Sequence, residues 1–496
     1  MTPEYNLGRI FTPLSWAEWL LEQTGAFDTW WHGGTICDPT FGDGSLLRAF
    51  FSLSEKKRLS PPPEAVSRLF GVEIEPADKF RVQRMLREKH GVEIPLENLI
   101  TADVLAQEVS AKYDILVGNP PWMNFSKLSP ELRERWSQRY IDLGLVQSKK
   151  DVLLGSSRAD LATAVLKKVL DTNLAPDGHA MFFIPLSIFY NSGANDRFRP
   201  FPGSDHSFSV SRLWDLGDEP IFEGVATRYG AVQFKKGSPQ QFPVPTRVRN
   251  LGRWVETFSS PSDGQSGFWQ RHDQSASPPP MQGIAVEKER RPRQGVNTCG
   301  ANRVLIFNVS EEGLQDYYGA AVELEPDLLF PLMDVSLFPD ASRRRTPKSR
   351  MVLLPYERRT GRPLTEIELQ NYPRTWKYLQ NHRESLENRK GTMIQGSIKR
   401  GYWWSLLGVG PYSFAPWKVA WEALGRSEFR PVVLNGRWQG NQAMHAFCPC
   451  RSKDEAEALL AKLSSQEVED ALKASAMGGT LNWAQPGRVS KILELT

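Results

Sequence analysis

Residues 113–125 read YDILVGNPPWMNF, a mostly aliphatic run that enters an amide, two prolines and a tryptophan without a polar break. A short apolar run of this kind, with no alternation of polar and apolar positions, is the pattern of a strand buried on both faces. Proline has no N–H to give to a ladder, so the strand has to stop at Pro120. A chain carrying this stretch is committed to a buried sheet, with Asn119 and Trp122 set at the carboxyl end of one of its strands.

The flanking segments agree. From residue 34 to about 234, short apolar runs alternate with longer amphipathic stretches, as the βα units of a mostly parallel sheet require. GTICDPTFGDGSLLRAFF, from Gly34, reads as strand, glycine-rich turn and helix; RLFGVEIEPADKFRVQRML, from Arg68, reads as strand, acidic end and helix. ADLATAVLKKVLDTNL spaces Leu161, Val165 and Val169 as a helix does, and DGHAMFFIPLSIFY follows as a further strand. These predict an open α/β domain over residues 1–240. Residues 241–300, rich in Pro, Ser, Gly and Gln, are expected to form a connector with a loosely structured loop. A second domain is expected over 301–496, where tryptophan and tyrosine are interleaved with arginine and lysine.

The longest nearly apolar run, AMFFIPLSIFY, covers residues 180–190 and is broken by a proline, against the roughly 20 residues needed to span a bilayer. The N-terminal MTPEYNLGRI lacks the apolar core of a signal peptide. Four cysteines, at 37, 299, 448 and 450, are too few and scattered for a disulfide framework and fit a reducing compartment. A cytoplasmic protein with no membrane partner is expected. His445, Cys448 and Cys450 lack a second ligand pair to complete a tetrahedral metal site, so they are read as packing residues and no metal is expected. The net charge of +4 permits a polyanionic partner without requiring one.

In open α/β sheets, ligands bind at the carboxyl ends of the strands. Asp38 closes the first predicted strand, and Gly42 and Gly44 would let the backbone approach a ligand before the next helix starts. Glu73 ends the second strand, where a carboxylate can accept both hydroxyls of a ribose. Asp103 follows the next apolar run and can accept from an adenine amino group. DPTFGDG lacks the Lys-Ser/Thr ending of a phosphate cradle, which favours a nucleoside without phosphates. At the fourth strand end the Asn119 side-chain oxygen and the Pro120 carbonyl form a pair of acceptors. An exocyclic amine on an aromatic base is a poor nucleophile because its lone pair is delocalised. Two acceptors around its N–H groups would favour the pyramidal amine and aim that lone pair at an electrophile. The prolines at 120 and 121 hold the carbonyl direction. Trp122 offers a flat face for the base, worth about 1–3 kcal/mol on other nucleic-acid stacking platforms.

In motif content and order the sequence resembles the gamma class of amino-group DNA methyltransferases, those specific for adenine N6. GRIFTPLSWAEWLLE is similar to motif X, CDPTFGDGSLLRAF to motif I, LFGVEIEP to motif II, ITADVLA to motif III and YDILVGNPPWMNF to motif IV. GHAMFFIPLSIFY looks like motif VI, and EPIFEGVATRYGAVQF falls where motif VIII should be. The resemblance covers about residues 6–236. It implies a Rossmann-like fold that binds S-adenosyl-L-methionine, a C-terminal α+β target-recognition domain, and double-stranded DNA with the target adenine flipped out. It assigns cofactor contacts to Phe11, Thr12 and Pro13, to Asp38, Pro39, Gly42 and Gly44, to Glu73 and Ile74, and to Asp103 and Asn119. It assigns Asn119, Pro120, Pro121 and Trp122 to catalysis, with Phe222 as the second aromatic contact to the flipped base. The last tetrad residue in adenine enzymes is most often Tyr or Phe, so Trp122 departs from the pattern while preserving stacking. A cytosine-amino enzyme would usually carry Ser in place of Asn119.

The basic tract SRRRTPKSR, residues 342–350, is expected to clamp phosphates. Trp403, Trp404 and Trp417 are expected to pack in a core rather than meet bases. Motif X lies close to the start of the sequence, which leads to an expectation of methylation without a fused nuclease, in a restriction-modification or phage-defence setting where other subunits can take part. Ribosomal-RNA guanine methyltransferases and enzymes that methylate a release-factor glutamine share the NPP tetrad, but usually lack the FTP element and a long C-terminal half. A non-catalytic DNA-binding subunit would be expected to have lost some of Asp38, Gly42, Gly44, Glu73 and Asn119.

Overall fold

The computed structural model describes residues 9–61, 63–106, 111–148, 160–191, 195–217, 219–225, 227–262, 267–273, 284–338, 349–424, 429–475 and 484–495, with the single residues 193 and 265. They fall into two compact units, formed chiefly by residues up to 280 and from 281 onward.

The first unit is built on a ten-stranded sheet: β1 (Ile36–Asp38), β2 (Leu69–Glu73), β3 (Leu99–Thr101), β4 (Tyr113–Gly118), β5 (Leu174–Pro185), β6 (Phe208–Asp215), β7 (Tyr229–Lys236), β8 (Val244–Asn250), β9 (Arg253–Pro261) and β10 (Trp269–His272). Its order is 10-9-8-6-7-5-4-1-2-3. Strands β3, β2, β1, β4 and β5 pair in parallel, whereas β7 is antiparallel to both β5 and β6. This is the doubly wound order 3-2-1-4-5-6 with β7 inserted beside β5, and the order reverses between β1 and β4.

Alternation along the central strands divides two hydrophobic cores. Ile115 and Val117 of β4, with Met181 and Phe183 of β5, pack against helices Leu14–Thr24, Ser45–Lys56 and Pro76–His90. Leu116 and residues Ala180, Phe182 and Ile184 face helices Pro130–Asp142 and Leu161–Thr172. Burying one such side chain contributes about 1.5–3 kcal/mol, so a polar residue on either face would be costly, which is why the buried residues 115–118 carry none while the exposed Asp114 is tolerated.

The stretch expected as a connector contributes β8, β9 and β10, with β8 parallel to β6 and the next two antiparallel in succession. The β8–β9 turn is made by Leu251 and Gly252, both at positive φ, 47° and 76°, the geometry that matches strand twist in two-residue hairpins. The buried side chains here include Thr246, Thr257, Ser259 and Ser260. They are hydrogen-bonded within the sheet, Thr246 to Ser259 at 2.8 Å for instance, so these strands lack an apolar signature.

The second unit is α+β. One antiparallel sheet contains Arg293–Gln294, His445–Cys450, Trp417–Glu422 and Val432–Asn435; another contains Gly313–Gln315, Ile306–Ser310, Arg350–Leu353 and Leu329–Pro331. Trp403 and Trp404 are buried in its core and Trp417 is half-buried at the start of a strand. His445, Cys448 and Cys450 are buried along one strand. Of the basic tract 342–350, all but Ser349 and Arg350 lie outside the described residues. Among the described residues, no helix is long and apolar enough to cross a membrane.

Candidate active site

The carboxyl ends of β1 to β4 open onto a cleft at the point where strand order reverses. Its empty space, counted together with the open solvent at its mouth, is about 850 Å³. Phe11, Thr12, Asp38, Pro39, Gly42, Glu73, Ile74, Asp103, Asn119 and Pro121 line it. Pro13 instead turns the chain into helix Leu14–Thr24, its carbonyl accepting from the Trp16 and Ala17 amides at 2.9 and 3.0 Å. Gly44 starts helix Ser45–Lys56 at φ +78°, and a Cβ there would lie 2.6 Å from Val82 Cγ2. Arg9, Phe41 and Leu105, which lie within the stretches similar to motifs X, I and III, also face the cleft, as do Trp136, Leu161 and Val165; none is among the site residues that the sequence assigns.

The three acids differ in their surroundings. Asp38 is buried, and its Oδ1 accepts from the Thr40 amide at 3.0 Å. Burial raises its carboxyl to about 8; the Thr40 bond opposes this, while the negative charges of Glu73 and Asp43 add to it. Glu73 accepts from the Gly42 amide at 2.9 Å on Oε2, and from Arg9 Nη2 at 2.8 Å and the Ile74 and Glu75 amides at 3.0 and 3.2 Å on Oε1. Asp103 Oδ2 accepts from the Trp136 indole N–H at 2.9 Å, and its Oδ1 from the Leu105 amide at 2.9 Å. Trp136 thereby becomes a buried aromatic wall beside Asp103.

Asn119 follows β4 directly. Its Nδ2 donates to the Ile10 carbonyl at 3.0 Å and to Thr12 Oγ1 at 3.2 Å. These bonds fix which way the amide points, and they leave Oδ1 buried without a hydrogen-bond partner. An orphaned acceptor of this kind costs about 1–3 kcal/mol, and so calls for an explanation. Gly118 makes room for the turn: a Cβ there would sit 2.7 Å from Phe182 Cε1 and 3.3 Å from Asp38 Oδ1.

Pro120 is buried, and Trp122 is half-buried with its indole N–H donating to the Phe183 carbonyl at 3.3 Å. Phe222 meets Trp122 edge-on, ring centres 5.1 Å apart at 76°, and is 2% exposed. Two rings clasping a base face to face need about 7 Å between centres, twice a carbon contact of about 3.5 Å, so Phe222 fills the place beside Trp122 in this state. Tyr229, absent from the sequence-derived set, completes the cluster. Its ring lies 5.6 Å from Trp122 and 4.9 Å from Phe222. Its hydroxyl donates to the Glu219 carbonyl at 2.5 Å and accepts from the Ile221 and Phe222 amides at 2.8 and 3.4 Å, pinning the loop that carries Phe222.

Residues 3–200 match the family model described as N-6 DNA Methylase. The type II methyltransferase M.NspV of Nostoc sp. is 34% identical over 102 residues, 21% of this chain and 20% of M.NspV. The type II methyltransferase M.BstVI of Geobacillus stearothermophilus is 24% identical over 439 aligned residues, 77% of this chain and 72% of M.BstVI. Among solved structures, the type IIL restriction-modification enzyme MmeI in complex with DNA superposes with a TM-score of 0.56 at 13% identity, over 95% of this chain and 65% of that one. This last likeness is one of fold. The chain thus spans a fifth of one curated relative and somewhat less than two thirds of the MmeI chain. The likeness to the N-6 DNA methylase family is thus carried by residues 3–200, about two fifths of the chain, whose doubly wound sheet has the Asn-Pro-Pro-Trp turn at its switch point.

Proposed function

We propose that this protein is a site-specific DNA methyltransferase that moves a methyl group from S-adenosyl-L-methionine to the N6 amino group of an adenine flipped out of double-stranded DNA, within a restriction-modification or phage-defence system. The observation that carries this reading is Asn119: its Nδ2 is tied to Ile10 and Thr12, and its Oδ1 is buried and unpaired. The type II relatives and the DNA complex of MmeI support DNA as the substrate.

The cleft residues fit the cofactor. Glu73 suits ribose hydroxyls and Asp103, beside the Trp136 wall, suits an adenine ring. Asp38, a carboxyl held at about 8 by burial, gains from a cationic ligand nearby. S-adenosylmethionine, when bound, supplies a methyl group already activated by its sulfonium. Asn119 Oδ1 and the Pro120 carbonyl would accept the two amine N–H groups, orienting the nitrogen lone pair towards that methyl. Trp122 would stack on the base, which repays part of the few kcal/mol that flipping costs. Phe222 would have to give way, and its loop is the element that would move. The second unit would supply target recognition, with other subunits of the system as further partners.

The test is single-molecule long-read sequencing of genomic DNA from a methylation-deficient bacterial host expressing the protein, beside an Asn119→Ala control. Methyladenine at one recurrent motif, absent from the control, is expected. A clean genome from protein that binds the cofactor would overturn the DNA assignment and direct the assay to RNA.

A further inference from the structure

We infer that Arg9 is a positioning residue for the Asn119 amide, acting through the segment 9–12; the inference rests on the methyl-transfer reading above. Residues 9–12 belong to no helix or strand, so side-chain contacts have to set their place. At one end, Arg9 Nη2 bridges two sheltered carboxylates, Glu73 Oε1 at 2.8 Å and Asp78 Oδ2, whose side chains are 7% and 1% exposed. At the other, the Ile10 carbonyl and Thr12 Oγ1 hold Asn119 Nδ2. One guanidinium nitrogen therefore anchors the short span whose two acceptors decide which atom of Asn119 stays free.

The anchor is sturdy for physical reasons. A charge-assisted bond from arginine to a carboxylate is about twice as strong as a neutral one. Both partners sit on regular elements: Glu73 closes β2 and Asp78 lies in the first turn of helix Pro76–His90, where it also takes Arg81. Asp38 and Asp43 line the same cleft, so the Arg9 cation also offsets a locally acidic floor. Releasing Arg9 leaves the Ile10 carbonyl free to drift from Asn119 Nδ2. The amide can then rotate, and its oxygen no longer stands where the target amine needs an acceptor. Displacements of about 1 Å in such an acceptor can cost about a hundredfold in rate.

The experiment compares wild type with Arg9→Gln and Arg9→Lys over a range of S-adenosylmethionine concentrations up to saturation, using genomic DNA from a methylation-deficient host, and follows residues 9–18 by hydrogen–deuterium exchange. For Arg9→Gln, kcat is expected to fall about tenfold to a hundredfold, more than KM for the cofactor rises, and exchange in the 9–18 peptide is expected to quicken at least tenfold. Arg9→Lys, which can still pair with one carboxylate, should recover part of both. A change confined to KM for the cofactor would make Arg9 a ribose-end residue only and overturn the inference, as would unaltered exchange in the 9–18 peptide. Wild-type protein that bound no S-adenosylmethionine would instead defeat the reading beneath it, a result distinct from either of these.

Discussion

Replacing Asp38 with asparagine should make the ligand-free protein increasingly stable relative to wild type as pH rises, while weakening the binding of S-adenosylmethionine proposed above. Asp38 is 1% exposed and its carboxyl is pushed from 3.8 to about 8, chiefly by burial. A carboxyl whose pKa is raised by folding stabilises the native state fully below its unfolded value, and that contribution is lost as pH climbs through the folded one. For Asp38 the window runs from about 4 to 8, with a slope of about 1.4 kcal/mol per pH unit. An asparagine in the same place keeps an oxygen for the Thr40 amide, bonded at 3.0 Å in the native protein, and does not titrate. Between pH 5 and pH 8 the stability of the variant relative to wild type should therefore rise by up to about 4 kcal/mol. Groups that titrate equally in both proteins cancel in the difference. Chemical denaturation of both ligand-free proteins across pH 5–8, followed by calorimetric titration with S-adenosylmethionine, measures the two effects. If the advantage of the variant stays flat with pH, or the variant binds the cofactor as wild type does, the assignment of Asp38 as a buried carboxyl waiting for a cation is wrong.

Three further outcomes are expected. Asn119→Ala should lower kcat by about a hundredfold to a thousandfold, as loss of one preorganised polar group does elsewhere. Its melting temperature should stay near wild type, because two lost hydrogen bonds of about 1 kcal/mol each are offset by removal of an orphaned acceptor. Tyr229→Phe keeps the ring against Trp122 but frees the Phe222 loop. A cost of about 1–2 kcal/mol in stability and a faster rise of 2-aminopurine fluorescence at the target position would show this. Gly44→Ala forces a side chain into φ +78° and against Val82, so denaturant titration should show a loss of about 2–4 kcal/mol.

Much of the fold was legible because βα units announce themselves locally. Unalternated aliphatic runs marked β4 and β5, and 3.6-residue spacing marked the helix Leu161–Thr172. The strands β8 to β10 were not legible, since their interior is partly threonine and serine satisfied by one another, and polar composition with prolines reads as a connector. In the site, Asp38, Glu73 and Asp103 could be picked out because each terminates or follows a predicted strand. Trp136 could not, since nothing in its neighbours distinguishes it from a core residue; Arg9 and Tyr229 lie within the stretches similar to motifs X and VIII, but their partners Glu73 and Trp122 are distant in sequence.

The chain by itself determined where its strands stop and which side chains stand at those stops, because strand burial and proline chemistry act over a few residues. Tertiary structure decided what those side chains do there. The acceptors that turn the Asn119 amide lie 107 and 109 residues upstream, and the hydroxyl that pins Phe222 arrives from a strand inserted between β5 and β6. Such contacts are set by how the sheet is wound, and their partners leave no periodicity in the sequence from which they could be read.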